Sequence, residues 1–201
     1  MSLILFHSPT SPYVRKVMVA AHEAGLADRL TLRTTTPWQP DGDFEAANPI
    51  GKVPALLRDD GPALTDSRVI TEYLDAVSAA GFFPAAGEAR WRNLRFLSLG
   101  DGILDASVGT VVERRRDKTL QSDDFFARQR SKADRILTAL EAEADGLGTA
   151  ITAGTIAVGV ALAYTAFRKV APDWRQGRPR LTAWFAGFEA RPSMRATVPR
   201  E

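Results

Sequence analysis

Ser11 sits in the run His7-Ser8-Pro9-Thr10-Ser11-Pro12-Tyr13-Val14-Arg15, between a short apolar segment and a stretch with helical spacing. A serine at a helix start lies beside the helix's free amides and its positive dipole end. It can therefore help to hold a sulfur or another anion, or it can act simply as an N-cap. Two further segments offer complementary groups. In Asn48-Pro49-Ile50-Gly51-Lys52-Val53-Pro54-Ala55-Leu56, Pro54 heads a strand and leaves the Val53 backbone able to pair with an extended ligand, with the cation of Lys52 next to it. A cis bond before Pro54 would account for a proline at that place. In Thr65-Asp66-Ser67, a helix opens on two residues that can cap it or bind a ligand. Each group also has a plainer reading: Lys52 as a solvated charge, Val53 as core, Asp66 and Ser67 as a cap, Ser8 and His7 as loop or packing residues.

Composition removes most other chemistry. The chain has 201 residues, no cysteine and two histidines, His7 and His22. Disulfides, thiolate metal sites and a cysteine nucleophile are excluded, and no metal site is expected. A net charge of +2 is no electrostatic footprint for nucleic acid, and Arg114-Arg115-Arg116 is bracketed by Glu113 and Asp117. There is no G-x-S-x-G elbow, and Gly51-Lys52 has Ala46 and Val53 where a phosphate-binding loop needs glycine and a hydroxyl. No charge occurs between Asp145 and Arg168, but the glycines and threonines there fit a loop and a buried helix better than a membrane span. The N-terminus lacks the charged start and long apolar run of a signal peptide, so a cytoplasmic location is expected.

The elements that must position these residues follow from periodicity. Residues 2–6 predict a strand. Tyr13, Val14, Val17, Met18 and Ala21 share one face of a helix with Pro12 in its first turn and Gly25 past its end. A second strand is expected over 29–34, a loop over Pro37 to Gly42 and a short helix over 43–47. Strands follow at Pro54 to Arg58 and Pro62 to Leu64, around the turn Asp59-Asp60-Gly61. The helix opened by Asp66-Ser67 would turn Val69, Ile70, Tyr73, Leu74 and Val77 inward. The order is β-α-β-α-β-β-α, and in such a module the three ligand segments can lie along one edge of the sheet. Residues 81–87 read as a linker between a first domain, 1–80, and an all-helical second domain, 88–201. Helices are expected there over 88–116, bent near Gly100 and Gly102, and over 122–144, 153–170 and 179–190.

Taken together these residues resemble the glutathione transferases along the whole chain. The first part is similar to the thioredoxin-like glutathione-binding domain. Ser11-Pro12-Tyr13-Val14 stands where glutaredoxins, which share that fold, carry Cys-Pro-Tyr-Cys, and a serine four residues ahead of Arg15 matches the catalytic serine of theta-like classes. N-P-x-G-K-V-P-x-L (48–56) is similar to the family's loop before its cis-proline. Asp66-Ser67 falls where the family has Glu-Ser or Asp-Ser for the γ-glutamyl carboxylate. Asp101-Gly102-Ile103 resembles a segment whose aspartate, in several classes, reaches the partner subunit's glutathione. The match is nearest to bacterial serine-containing members. One departure stands out: the family's Ser/Thr-x-x-Asp opening its buried helix reads Thr152-Ala153-Gly154-Thr155 here, so the reciprocal acid of a capping box is missing.

The resemblance implies a homodimeric detoxification enzyme with glutathione as co-substrate. Ser11 would donate a hydrogen bond to the glutathione sulfur, and Lys52, Val53, Asp66, Ser67 and Asp101 would bind the rest of the peptide. A small hydrophobic electrophile would lie between the domains, near Tyr13, Trp38, Leu104 and Val108. The alternatives are another glutathione-dependent enzyme (isomerase, peroxidase or dehalogenase) or a noncatalytic interaction module on the same fold.

Overall fold

The computed structural model describes residues 3–36, 38–39, 42–171 and 173–199. The first half forms the expected order: β1 (Leu3–His7), α1 (Pro12–Glu23), β2 (Leu30–Thr34), α2 (Gly42–Ala47), β3 (Ala55–Arg58), β4 (Gly61–Leu64) and α3 (Ser67–Ser78). The strand order is β2-β1-β3-β4; β1 and β2 are parallel, and β3 runs antiparallel to both β1 and β4. Five helices follow: α4 (Gly87–Glu113), α5 (Asp123–Ala142), α6 (Ala153–Phe167), α7 (Pro179–Glu189) and α8 (Pro192–Ala196). Ser2, Pro37, Pro40 and Asp41, parts of the expected first strand and loop, lie outside the described residues.

Alternation of the strand residues sets the first core. Leu3 and Leu5 are buried on one face of β1, while Phe6, on the other, meets Phe44 of α2 edge-to-face at 5.3 Å. Val17, Ala20 and Ala21 of α1 and Ile70 and Leu74 of α3 are fully enclosed. Val69 and Val77, expected inward, are exposed at 44% and 39% instead, and Thr71 is buried. Thr71 can be buried because its hydroxyl donates to the Ser67 carbonyl at 2.7 Å one turn back.

The chain divides into two compact units, residues 1–85 with 192–201, and residues 86–191. The helical unit therefore does not run to residue 201 as the sequence pattern suggested. Arg15 supplies one reason. Its guanidinium, largely buried, donates to the Met194 carbonyl at 3.0 Å and to Thr197 Oγ1 at 3.4 Å, while Ser193 Oγ donates to Glu23 at 2.5 Å. These bonds fasten α8 to α1. The expected linker is also anchored: the amides of Phe82 and Phe83 donate to the two Asp75 carboxylate oxygens at 2.9 Å each.

In the helical unit α6 is apolar on almost every side and nearly all of it is buried, as its composition predicts. Gly100 of α4 has a packing role. A Cβ on Gly100 would come within 2.6 Å of the Ala157 carbonyl carbon and 2.7 Å of the Val158 nitrogen, so the backbone of α6 passes where a side chain would stand. The missing acid at the start of α6 is replaced by a hydroxyl. Thr155 N donates to Thr152 Oγ1 at 3.2 Å, and Thr152 N donates to Thr155 Oγ1 at 2.8 Å, which closes the capping box. Among the described residues no helix is long and apolar enough to cross a membrane.

Candidate functional site

Strand register determines which loops meet. Phe6 of β1 pairs with Ala55 of β3, and Leu56 of β3 pairs with Leu64 of β4. The C-terminal end of β1, the N-terminal end of β3 and the C-terminal end of β4 thus lie side by side. The segments joined to those ends are 8–11, 48–54 and 65–67, so the sheet brings Ser11, Lys52, Val53, Asp66 and Ser67 to one end of the first unit.

Ser11 is the N-cap of α1. Its Oγ accepts from the Val14 amide at 3.3 Å, its carbonyl accepts from the Arg15 amide, and its own amide donates to the Ser8 carbonyl. A hydroxyl has one proton and two acceptor sites. The cap occupies an acceptor and leaves the proton available, so capping and donation to a ligand are compatible in one side chain. His7 is satisfied nearby: its Nε2 lies 3.0 Å from Thr34 Oγ1. Burial pushes its imidazole below the ordinary value of 6.5, which leaves it neutral at pH 7.

The second loop is shaped by Asn48, which sequence reasoning passed over as part of a motif. Asn48 is 0% exposed. Its Oδ1 accepts from the Ile50 amide at 3.1 Å, its Nδ2 donates to the Lys52 carbonyl at 2.5 Å, and its own carbonyl accepts from Gly51. The signal available in the sequence was an asparagine two residues before the chain turns, a frequent side-chain mimic of a backbone turn. Gly51 takes φ +68°, which glycine adopts without strain. The loop delivers Val53, whose backbone precedes the ladder that begins at Ala55, and the Val53–Pro54 peptide is cis. The Lys52 side chain is exposed.

In the third loop, Asp66 is the N-cap of α3 and its Oδ1 accepts from the Arg68 amide at 2.8 Å. The Thr65–Asp66 peptide is also cis. Ser67 follows as the first helical residue and is buried. Its amide is one of the first-turn donors that a helix itself leaves without a partner.

Beside Ser11 the first unit holds a cavity of about 340 Å³. Val14, Met18 and Leu32 line it, joined by Ala196, Thr197 and Val198 from the C-terminal segment. The contribution of that segment was not legible in the sequence, because nothing local in residues 192–199 says which unit they join. Asp101, by contrast, belongs to the helical unit and is buried in α4. Leu104 is 0% exposed and is core rather than a ligand-facing residue, whereas Trp38 is exposed and Tyr13 and Val108 are half-buried.

Known proteins resemble this chain in sequence and in fold. The profile of the glutathione S-transferase N-terminal domain matches residues 10–77, and that of the C-terminal domain matches residues 123–187. A GST-like protein of Escherichia coli K12, YibF, is 35% identical over 199 residues, covering 97% of this chain and 98% of its own length. A glutathione transferase family member from Pseudomonas fluorescens Pf-5, crystallised with bound glutathione, superposes with a TM-score of 0.92 at 43% identity, over 100% of both chains. A second structure of a family member from that organism, with bound S-(propanoic acid)-glutathione, gives a TM-score of 0.88 at 42% identity, covering 100% of this chain and 98% of the other. The βαβαββα unit is thioredoxin-like, and the helices α4 to α7 belong to the transferase C-terminal domain. This chain belongs to the glutathione S-transferase family.

Proposed function

We propose that the chain is a glutathione transferase in which Ser11 activates the thiol of bound glutathione for attack on a small hydrophobic electrophile. The observation that carries this reading is the gathering of three complementary groups at one end of the sheet: a helix-capping hydroxyl with its proton to spare, an extended backbone outside the ladder, and a helix start bearing Asp66 and Ser67. Glutathione presents matching parts. Its sulfur faces the Ser11 hydroxyl, its central cysteinyl amide pairs with the Val53 backbone, and its glycine carboxylate meets Lys52. At the γ-glutamyl end the carboxylate takes the Ser67 amide and the ammonium takes the Asp66 carboxylate. Glutathione bound to the relative from Pseudomonas fluorescens supports this assignment.

The energetics are sufficient. A free thiol titrates near pH ~8.5, so only a few per cent is thiolate at neutral pH. One hydrogen bond to a charged acceptor contributes about 1.5–3 kcal/mol, and each pKa unit corresponds to about 1.4 kcal/mol, so Ser11 alone lowers the thiol by about one to two units. The start of α1 adds a smaller share. The thiol proton leaves to solvent as the thiolate forms, and the thiolate then makes a carbon–sulfur bond while the carbon's bond to a leaving group breaks and that group departs with the electron pair. Ser11 itself forms no bond, which is consistent with a chain that lacks cysteine. The apolar wall of Val14, Met18, Leu32 and Val198 in the adjacent cavity is the surface for the electrophile. The thioether-bearing glutathione held by the relative supports room for a substituent on sulfur.

Calorimetry with millimolar glutathione is the first test. Binding is expected, and its absence would favour a noncatalytic interaction module. Ser11→Ala should then raise the pKa of bound glutathione by about one to two units, followed by thiolate absorbance; an unchanged titration removes Ser11 from the mechanism. A homodimer is part of this reading, and the exposed Val69 and Val77 of α3 are apolar surface that a second copy could cover. Light scattering decides it, and a monomer would also remove any role for Asp101 toward a partner's glutathione.

A further inference from the structure

The cavity beside Ser11 has a polar edge that the proposed function leaves unused. His7 and Ser8 line it together with Ser11, and much of the remaining wall is apolar. Strand register places His7 there: it ends β1 opposite Thr34 of β2, just ahead of the segment that leads to Ser11. His7 Nε2 lies 3.0 Å from Thr34 Oγ1. Nδ1 makes no hydrogen bond among the described residues, and it is open to solvent rather than sealed in the core. A neutral imidazole carries one N–H and one acceptor nitrogen. With the Thr34 hydroxyl donating to Nε2, the ring proton sits on Nδ1, which leaves one donor for a ligand. Arg15 is the charged residue among the described ones that line the cavity, and its guanidinium donates to the Met194 carbonyl and to Thr197 Oγ1.

A neutral donor set in an apolar wall selects among electrophiles. Burial keeps the His7 ring uncharged at pH 7, so it can bond an oxygen without drawing the sulfur anion away from Ser11. We propose that His7 is a further catalytic residue, whose Nδ1–H donates to the carbonyl oxygen of an α,β-unsaturated ketone or aldehyde bound in this cavity. This inference rests on the glutathione reading of Ser11 and names a substrate class for it. The β-carbon of the substrate meets the sulfur at Ser11, and its hydrocarbon part lies along Met18 and Leu32. In this addition no group leaves. A sulfur lone pair forms the carbon–sulfur bond, the carbon–carbon π pair moves toward oxygen to give an enolate, and the α-carbon then takes a proton from solvent. The Nδ1–H holds the oxygen as its negative charge grows, and a donor already in place needs no rearrangement at that moment. His7 itself neither gains nor loses a proton.

The test uses the full chain with glutathione, benzalacetone as the unsaturated ketone, and benzyl chloride as an electrophile with no oxygen. His7→Leu should lower kcat/KM for benzalacetone about tenfold or more, and by more than it lowers that for benzyl chloride, because only the ketone loses a hydrogen bond. His7→Asn, whose side-chain amide can donate from near the Nδ1 position, should recover part of the loss. Calorimetry of glutathione binding to each variant reports whether the glutathione end is intact. The inference is overturned by equal losses for the two electrophiles, by benzalacetone turnover that His7→Leu leaves unchanged, or by a His7→Asn protein no faster than His7→Leu. A loss of glutathione affinity as large as the loss in kcat/KM would make the role of His7 structural and overturn it as well. A wild type that binds glutathione and conjugates benzyl chloride but not benzalacetone overturns this inference while the proposed function stands, whereas a chain that binds no glutathione ends both.

Discussion

Replacing Asn48 tests how the proposed glutathione end of the sheet is built. Asn48→Ala deletes two side-chain hydrogen bonds, to Ile50 N and Lys52 O, from a residue with no exposure. Each bond contributes about 0.5–1.5 kcal/mol net, and the void left by a buried amide adds to the loss, so the expected cost is about 2–3 kcal/mol. For a chain of this size that lowers the melting temperature by roughly 5–10 °C. The larger consequence is functional. The loop that presents Val53 loses its internal brace, and glutathione affinity should fall about tenfold for each ~1.4 kcal/mol of order that binding must restore. Asn48→Asp separates the two bonds. Its carboxylate can still accept from Ile50 N but sets a negative oxygen against the Lys52 carbonyl, so at pH 7 it should be less stable than Asn48→Ala. The native carboxyl would titrate above its unfolded value, so protonation restores a donor to Lys52 and stability recovers as the pH is lowered. Differential scanning fluorimetry across pH and calorimetric titration of glutathione read both effects. Wild-type glutathione affinity in Asn48→Ala, or an Asn48→Asp protein as stable as wild type at pH 7, would refute the reasoning.

Two further outcomes follow from packing and protonation. Gly100→Ala places a methyl group against the α6 backbone, which cannot move aside as a flexible side chain would, so it should cost about 1–3 kcal/mol despite the better helix propensity of alanine; Gly187→Ala, where a Cβ meets nothing within 4 Å, should be neutral or slightly stabilising in the same melting assay. Burial holds the His7 imidazole below 6.5, so on acidification the unfolded chain takes up the proton first. Its contribution to stability is whole above pH 6.5 and is lost as the pH falls through the lower native value. The melting temperature of wild type should therefore drop more steeply below that pH than that of His7→Gln, and parallel curves would contradict the assignment.

The sequence by itself determined what is local. Pro12 in the first turn of α1, the Ser11 and Asp66 caps, the turn at Asp59-Asp60 and the order of elements all depend on backbone preferences and hydrogen bonds spanning only a few residues. The residue types that the three candidate loops offer were legible for the same reason. Tertiary structure alone decided what those groups could do together. Register between β1, β3 and β4 sets residues more than fifty positions apart at one end of the sheet, and no short-range pattern encodes that pairing. The same holds for the C-terminal segment, which Arg15 draws into the first unit, and for Val69 and Val77, whose helical spacing matched an inward face although the packing turned them outward. At Gly100 the pattern suggested a bend; the neighbour α6, through Ala157 and Val158 far along the chain, supplied the actual constraint. Periodicity states which faces an element offers, and only the packed partners decide which of them is covered.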